Sequence, residues 1–232
     1  MLFIKSFSAI CSGKCRKTAI SFIFLFFIPL FCLKVFGQEL KTGDLIFQFE
    51  KTEGSDFSKA ITDATATLDS LKIVHVGIIE QIDQNYFVIE ASPEEGVREI
   101  ELSSFLESSP VINGQPAVIV KRLEIDFPVE TTIRNARKLL GRNYDWTFLP
   151  DNEDIYCSEL VYMSYTDSEG NHIFNSQPMN FRASDGSMPE FWTDLFSKLN
   201  MEVPEGLPGT NPNDLSKDSR LFTLPSPLFP VK

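Results

Sequence analysis

Side chains suited to nucleophilic chemistry are few in this 232-residue chain: four cysteines (Cys11, Cys15, Cys32 and Cys157) and two histidines (His75 and His172). Cys157 stands in Tyr156-Cys-Ser-Glu-Leu-Val-Tyr-Met, where a loop passes into an apolar helical stretch. A sulfur beside the first turn of a helix meets unpaired backbone N–H groups and the positive end of the macrodipole, which favour a thiolate. The same N–H groups can receive the oxyanion formed when sulfur attacks a carbonyl. A lone cysteine is as much at home as a small buried apolar residue, so position alone leaves packing and catalysis open. A thiol nucleophile needs a base within hydrogen-bond reach, and histidine is the usual one. His75 lies in Ile73-Val-His-Val-Gly-Ile-Ile, with Ile73 and Gly77 as its neighbours on the same strand face. Gly77 is expected to leave room for a ligand beside the imidazole. His172, in Glu-Gly-Asn-His, reads as an exposed turn residue.

A third residue follows from strand pairing. Residues 73–80 and 85–91 are two branched, alternating runs separated by Gln81-Ile-Asp-Gln84. If they form a hairpin with that four-residue loop, Glu80 faces Asn85 and His75 faces Glu90. Directly opposed residues share a face with Cβ atoms about 4.5–5.5 Å apart. An acid there would fix the imidazole's tautomer and favour the imidazolium. A one-residue slip would put Glu90 on the wrong face, as a simple exposed strand acid.

The elements that must hold these groups can be read from periodicity. Strands are expected at Gly43–Phe49, Ile73–Glu80, Tyr86–Ala91, Val97–Glu101 and Ala117–Leu123, the last with Val118 and Val120 on one face. Helices are expected at 57–69, Leu102–Ser108, Val129–Leu140 (stopped by Gly141), from Cys157 onward, and at 188–199. Asp44 is placed to stabilise the turn at the first strand's entrance. The tail from Val203, rich in Pro and Gly, reads as an extended surface segment. Strands and helices are partly segregated, which indicates an α+β domain with a mainly antiparallel sheet.

Residues 1–37 do not read as part of that domain. They carry five basic residues and no acid, with an apolar run between Lys17 and Lys34. That run is short for a spanning helix, which needs roughly 20 apolar residues, and fits a secretory signal. We expect cleavage after Gly37, leaving one domain over 38–232 that is periplasmic or extracellular; an uncleaved segment would instead anchor it to the membrane. Export would leave Cys157 as the sole thiol, with no disulfide framework to explain it. The formal net charge would move from −11 to −16, which disfavours nucleic acid and anionic lipid headgroups as partners. No paired Cys or His spacing supports a zinc site, and no phosphate-cradling glycine loop suggests an organic cofactor.

Taken in order, Gly43-Asp44-Leu-Ile-Phe, His75-Val-Gly-Ile, Val-Ile-Glu90-Ala, Gly141-Arg-Asn-Tyr144-Asp145-Trp146 and Tyr156-Cys157-Ser158-Glu159-Leu-Val resemble the circularly permuted NlpC-type papain-like hydrolases, in particular the YiiX/YaeF-like amidase group. The order His, Glu, Cys is the permuted one, and the resemblance spans about residues 41–222. It implies a permuted papain-like α+β fold with the nucleophile at a helix N-terminus. It implies Cys157 as nucleophile, His75 as base and then acid, and Glu90 as the orienting residue. Tyr144 would shape the pocket or the oxyanion region, or serve as a core aromatic. Asp145 and Glu159 would either bind a substrate ammonium or be structural. The activity implied is hydrolysis of an amide in cell-wall peptides or in small or lipid-linked amides. Two other readings compete: acyl transfer of the lecithin-retinol type, whose Asn-Cys-Glu-His motif differs from Tyr-Cys-Ser-Glu here, and a non-catalytic binding module.

Overall fold

A computed structural model describes residues 39–49, 72–112 and 114–225. The segment 1–37, its expected cleavage point and the helix expected over 57–69 lie outside the described residues. Along the chain run β1 (Leu45–Phe49), β2 (Ile73–Ile82), β3 (Asn85–Ser92), β4 (Gly96–Glu101), α1 (Leu102–Ser108), the two-residue strands β5 (Val111–Ile112) and β6 (Gln115–Pro116), and β7 (Val118–Leu123). Then come α2 (Val129–Lys138), α3 (Cys157–Ser164), β8 (Gln177–Pro178), α4 (Glu190–Lys198), β9 (Pro208–Gly209), α5 (Pro212–Leu215) and β10 (Leu221–Thr223). Six strands form one sheet in the order β10-β7-β1-β2-β3-β4, with every pairing antiparallel. The α+β, mainly antiparallel reading holds.

Strand alternation sorts the buried side chains onto two faces. Leu45, Phe47, Val76, Ile78, Ile89 and Ala91 pack with Ile133 and Ala136 of α2 and with Leu160 and Val161 of α3. Ile46, Ile79, Val88, Val118 and Val120 turn the other way and pack under Leu102 and Phe105 of α1. Truncating a fully buried Phe such as Phe105 costs about 3–5 kcal/mol in such cores, so α1 anchors its face firmly.

Three ties brace the sheet and the segments packed around it. Tyr165, just past α3 and fully buried, donates its hydroxyl hydrogen bond to the Gly43 carbonyl at 2.8 Å. Asp44 accepts from the Lys41 N–H at 2.8 Å, as expected of a turn residue, and also receives Arg122 Nε and Nη2 at 2.6 and 2.7 Å. Finally, the chain after α2 turns at Gly141 (φ +83°) and pairs back onto β4, with Val97 N–H donating to the Arg142 carbonyl and Gly141 N–H to the Val97 carbonyl. Gly96 (φ +72°) makes that contact possible: a Cβ there would lie 2.1 Å from the Arg142 oxygen. The tail is more ordered than expected. It forms β9 against β8, the turn α5 begun by Asn211 accepting from Asp214 N–H, and β10 on the edge of the main sheet.

Candidate active site

Cys157 is the first residue of α3 and is 4 % exposed. Ahead of it, the Tyr156 N–H donates to Glu159 Oε2 at 3.4 Å, so the helix start carries its own cap. The remaining first-turn N–H groups have no partner within the helix, and the sulfur sits beside them.

The β2–β3 hairpin differs from the expected register. Both strands run further, Ile82 pairs with Asn85, and the turn is the dipeptide Asp83-Gln84, with Asp83 at φ +55°. Asp tolerates that left-handed conformation better than most residues. Glu90 therefore faces Gly77, and His75 stands diagonally across from it. A shift of two residues preserves the face where a shift of one would reverse it. The long side chains close the diagonal gap: His75 Nε2 lies 2.6 Å from Glu90 Oε2. Gly77 takes part differently than expected, because a Cβ there would lie 2.4 Å from Val88 Cγ1. Its missing side chain makes room for β3 rather than for a ligand.

His75 also sits next to an irregularity. Gln48 pairs with His75 but Phe49 pairs with Ile73, which leaves Val74 as an extra residue in β2. Ile73 consequently joins the helix-side core and does not share a face with His75. Bulges of this kind re-aim the neighbouring side chain. The imidazole lies at the seam between the two cores, stacked with Phe105 at 6.0 Å between centroids and hydrogen-bonded to both Cys157 and Glu90. With Nε2 committed to Glu90, Nδ1 is the nitrogen left for the sulfur.

Electrostatics reinforce this geometry. Burial pulls the His75 pKa down, but the hydrogen bonds and charges of Cys157 and Glu90 outweigh it and raise the value to about 10. The ring is therefore an imidazolium at neutral pH. Burial pushes Glu90 up, yet His75 and Arg98 together hold it below the usual carboxylate value. Arg98, directly opposite Glu90 on β4, reaches Glu90 Oε1 with Nε at 2.9 Å and Nη2 at 2.8 Å. Arg98 was not anticipated. Extending the strand arithmetic across the turn that pairs Ser92 with Gly96 would have found it.

Tyr144 is buried, hydrogen-bonded to Cys157, and packed against Trp146 at 5.0 Å between centroids. Burial, then the charge at Cys157, push its hydroxyl well above the ordinary tyrosine value, so it remains a protonated donor beside the sulfur. Asp145 is fully buried; its oxygens accept from Thr147 N–H (2.7 Å), Thr147 Oγ1 (2.6 Å) and Asn152 Nδ2 (3.0 Å), which binds the 145–152 loop together. Glu159 caps α3, and burial followed by the charge of Asp145 raises it to about 8. Both carboxyls thus have hydrogen-bond partners within the fold. His172 is exposed, stacked on Tyr162 at 3.9 Å and bonded through Nδ1 to the Tyr162 carbonyl.

Beside the sulfur opens a cavity of about 40 Å³. Tyr144, Phe148, Tyr156, Phe181 and Trp192 line it together with Met179, Asn180 and Thr210–Pro212. Buried thiol, imidazolium, carboxylate and a phenol donor at a helix start together make a constellation suited to nucleophilic attack on a carbonyl.

Comparison with known proteins identifies the family and the fold. The family model for the permuted papain-like amidase enzymes, YaeF/YiiX, C92 family, matches residues 39–224. The chain is 27% identical over 179 residues to the uncharacterized protein YiiX of Escherichia coli (strain K12), covering 75% of this chain and 81% of that protein. It also resembles a crystal structure described as the metalloprotein YiiX of Escherichia coli O157:H7, with a TM-score of 0.62 and 23% identity, covering 80% of this chain and 97% of that one. At that identity the likeness speaks for the fold.

Proposed function

The chain belongs to the permuted papain-like amidase family and is at that level a cysteine amidase; from this premise we propose that Cys157 attacks an amide carbonyl, with His75 and Glu90 completing the catalytic set. The observation that carries the reading is the chain of contacts from the sulfur through the imidazolium to a carboxylate 2.6 Å away. The sulfur adds to the carbonyl carbon, and the oxyanion is met by the first-turn N–H groups of α3 and the Tyr144 hydroxyl. His75 gives its proton to the departing nitrogen, the C–N bond breaks, and a thioester remains. Neutral His75 then takes a proton from water as it attacks the thioester, and acid and thiol are released. Glu90, held by Arg98, keeps the ring oriented throughout.

The crystallographic relative described as a metalloprotein raises the question of a metal here. Among the described residues, no three His, Cys, Asp or Glu side chains gather as a metal-holding group. His75 Nε2 and Glu90 Oε2 are bonded to each other, and the Arg98 cation occupies Glu90 Oε1. The donor set does not fit a metal at this site.

Substrates in cell-wall peptides or small or lipid-linked amides, and export through residues 1–37, complete the proposal. Profiling against muropeptide and acyl-amide libraries tests it, with Cys157→Ala as control. Equal turnover by that variant sinks the mechanism. Acyl transfer to an amine or alcohol with little free acid would replace hydrolysis by transfer. N-terminal sequencing of the secreted protein checks the cleavage after Gly37.

A further inference from the structure

We infer that Thr210 is a positioning residue for the proposed reaction: it clasps the two residues that flank Cys157 and so fixes the sulfur and the first-turn N–H groups of α3 against the carbonyl. The inference rests on Cys157 being the nucleophile and deepens that reading. Tyr156 is the N-cap of α3, Cys157 its first residue and Ser158 its second. The Thr210 N–H donates to Tyr156 Oη at 3.0 Å, and the Thr210 hydroxyl donates to Ser158 Oγ at 3.1 Å. One residue, far along the chain, thus holds the nucleophile's neighbour on either side.

These bonds are dry. Tyr156, Ser158 and Thr210 are all buried, so water is poorly placed to replace a lost partner, and a group left without one keeps its full desolvation cost. Among the described residues, Ser158 Oγ has the Thr210 hydroxyl as its side-chain partner. Without it, the start of α3 is free to turn slightly about its axis. Such a turn moves the sulfur and the oxyanion donors together, and small misplacements of reacting groups are costly.

Thr210 can position the helix because it is itself held from both sides. Before it, Pro208–Gly209 pairs with Gln177–Pro178, and the Met179 N–H donates to the Leu207 carbonyl at 2.8 Å. After it, Asn211 Oδ1 accepts from the Asp214 N–H at 2.8 Å to start α5. Lys121 Nζ of β7 then ties the Ser216 carbonyl to the main sheet at 2.6 Å. Gly209 allows the close approach: a Cβ there would lie 2.5 Å from Met179 Cγ and 3.1 Å from Tyr156 Oη. The result is a bracket that runs from the sheet to the helix start.

The test uses the full chain and two small probes that reach the same sulfur. With p-nitrophenyl acetate the thiolate adds to the carbonyl carbon, p-nitrophenolate leaves with the bonding electrons, and an acetyl thioester remains after passing through an oxyanion. With iodoacetamide the thiolate displaces iodide at a saturated carbon, and no oxyanion forms. The p-nitrophenolate burst and mass-spectrometric labelling of the Cys157 peptide give the two rates. Their ratio separates oxyanion geometry from thiol reactivity and from the amount of folded protein. Thr210→Val and Ser158→Ala should each lower that ratio about five- to tenfold, the factor carried by one net hydrogen bond. Thr210→Ser should restore it to within about twofold. The double variant should fall no further than either single one, because both remove the same bond. Ser158→Ala reaches that bond from the helix side, so the reading stays exposed even if Thr210→Val fails to fold. An unchanged ratio in a folded single variant, no rescue by Thr210→Ser, or a double variant down by the product of the two singles overturns the role of Thr210 while leaving Cys157 as nucleophile. A burst undiminished in Cys157→Ala overturns the nucleophile itself, so the two failures are distinguishable.

Discussion

Replacing Glu90 with Gln tests the electrostatic heart of the site while keeping its shape. His75 stands at about 10 against an ordinary 6.5. At 1.36 kcal/mol per unit, the surroundings favour the imidazolium by about 5 kcal/mol net of burial. Cys157 and Glu90 supply that preference between them. A hydrogen bond to a charged partner is worth about 1.5–3 kcal/mol, so Glu90→Gln should lower the His75 midpoint by about one to two units. Only two histidines occur in the chain, so an NMR titration of the imidazole Cε1–H groups resolves both, with His172→Gln assigning the second. Wild-type His75 should remain protonated through pH 9 and titrate near 10. In Glu90→Gln its midpoint should fall to about 8–9, so the ring stays mostly protonated at pH 7.5, and amide turnover there should drop by about ten- to a hundredfold as the ring loses its orienting partner. A wild-type midpoint near 6.5, or an unmoved midpoint in the variant, would refute the reasoning.

Stability should follow the same proton. Because the folded-state value of His75 is raised, its contribution is complete below about pH 6.5 and is lost as pH rises through about 10; thermal melts of wild type and His75→Ala should converge across that interval. Glu159 runs in the opposite sense. Its carboxyl is raised to about 8, so wild type should lose stability relative to Glu159→Gln between about pH 4.5 and 8 and match it at pH 4; a difference independent of pH would count against this. Gly96→Ala places a Cβ 2.1 Å from the Arg142 oxygen at φ +72°, and backbone strain alone of about 1–3 kcal/mol should lower the melting midpoint by several degrees, read by calorimetry. Arg98→Met should raise the Glu90 carboxyl, which Arg98 helps to hold down, whereas Arg98→Lys should largely preserve it; an NMR titration of the Glu90 carboxyl carbon decides.

Much of this site was legible because the underlying periods are forgiving in a particular way. The strand period is two, so an error of two residues in the hairpin register still put Glu90 on the face of His75. The start of α3 was legible because loop and helix chemistries meet at one residue, with Glu159 three positions past Tyr156 acting as the cap. What escaped depends on distant partners. The extra residue Val74 shows only when β1 is laid against β2, and β10 is too short to be a strand without the edge of β7 to pair with. Asp145 and Glu159 looked like candidates for a substrate cation because a sequence counts charges without saying what has already claimed them. Asp145-x-Thr147 is in fact the pattern of a side chain folding back on its own backbone, and that local signal could have removed Asp145 from the candidates. With the oxygens of both carboxyls already accepting hydrogen bonds within the fold, the acidity of the chain is a poor guide to what the sulfur attacks.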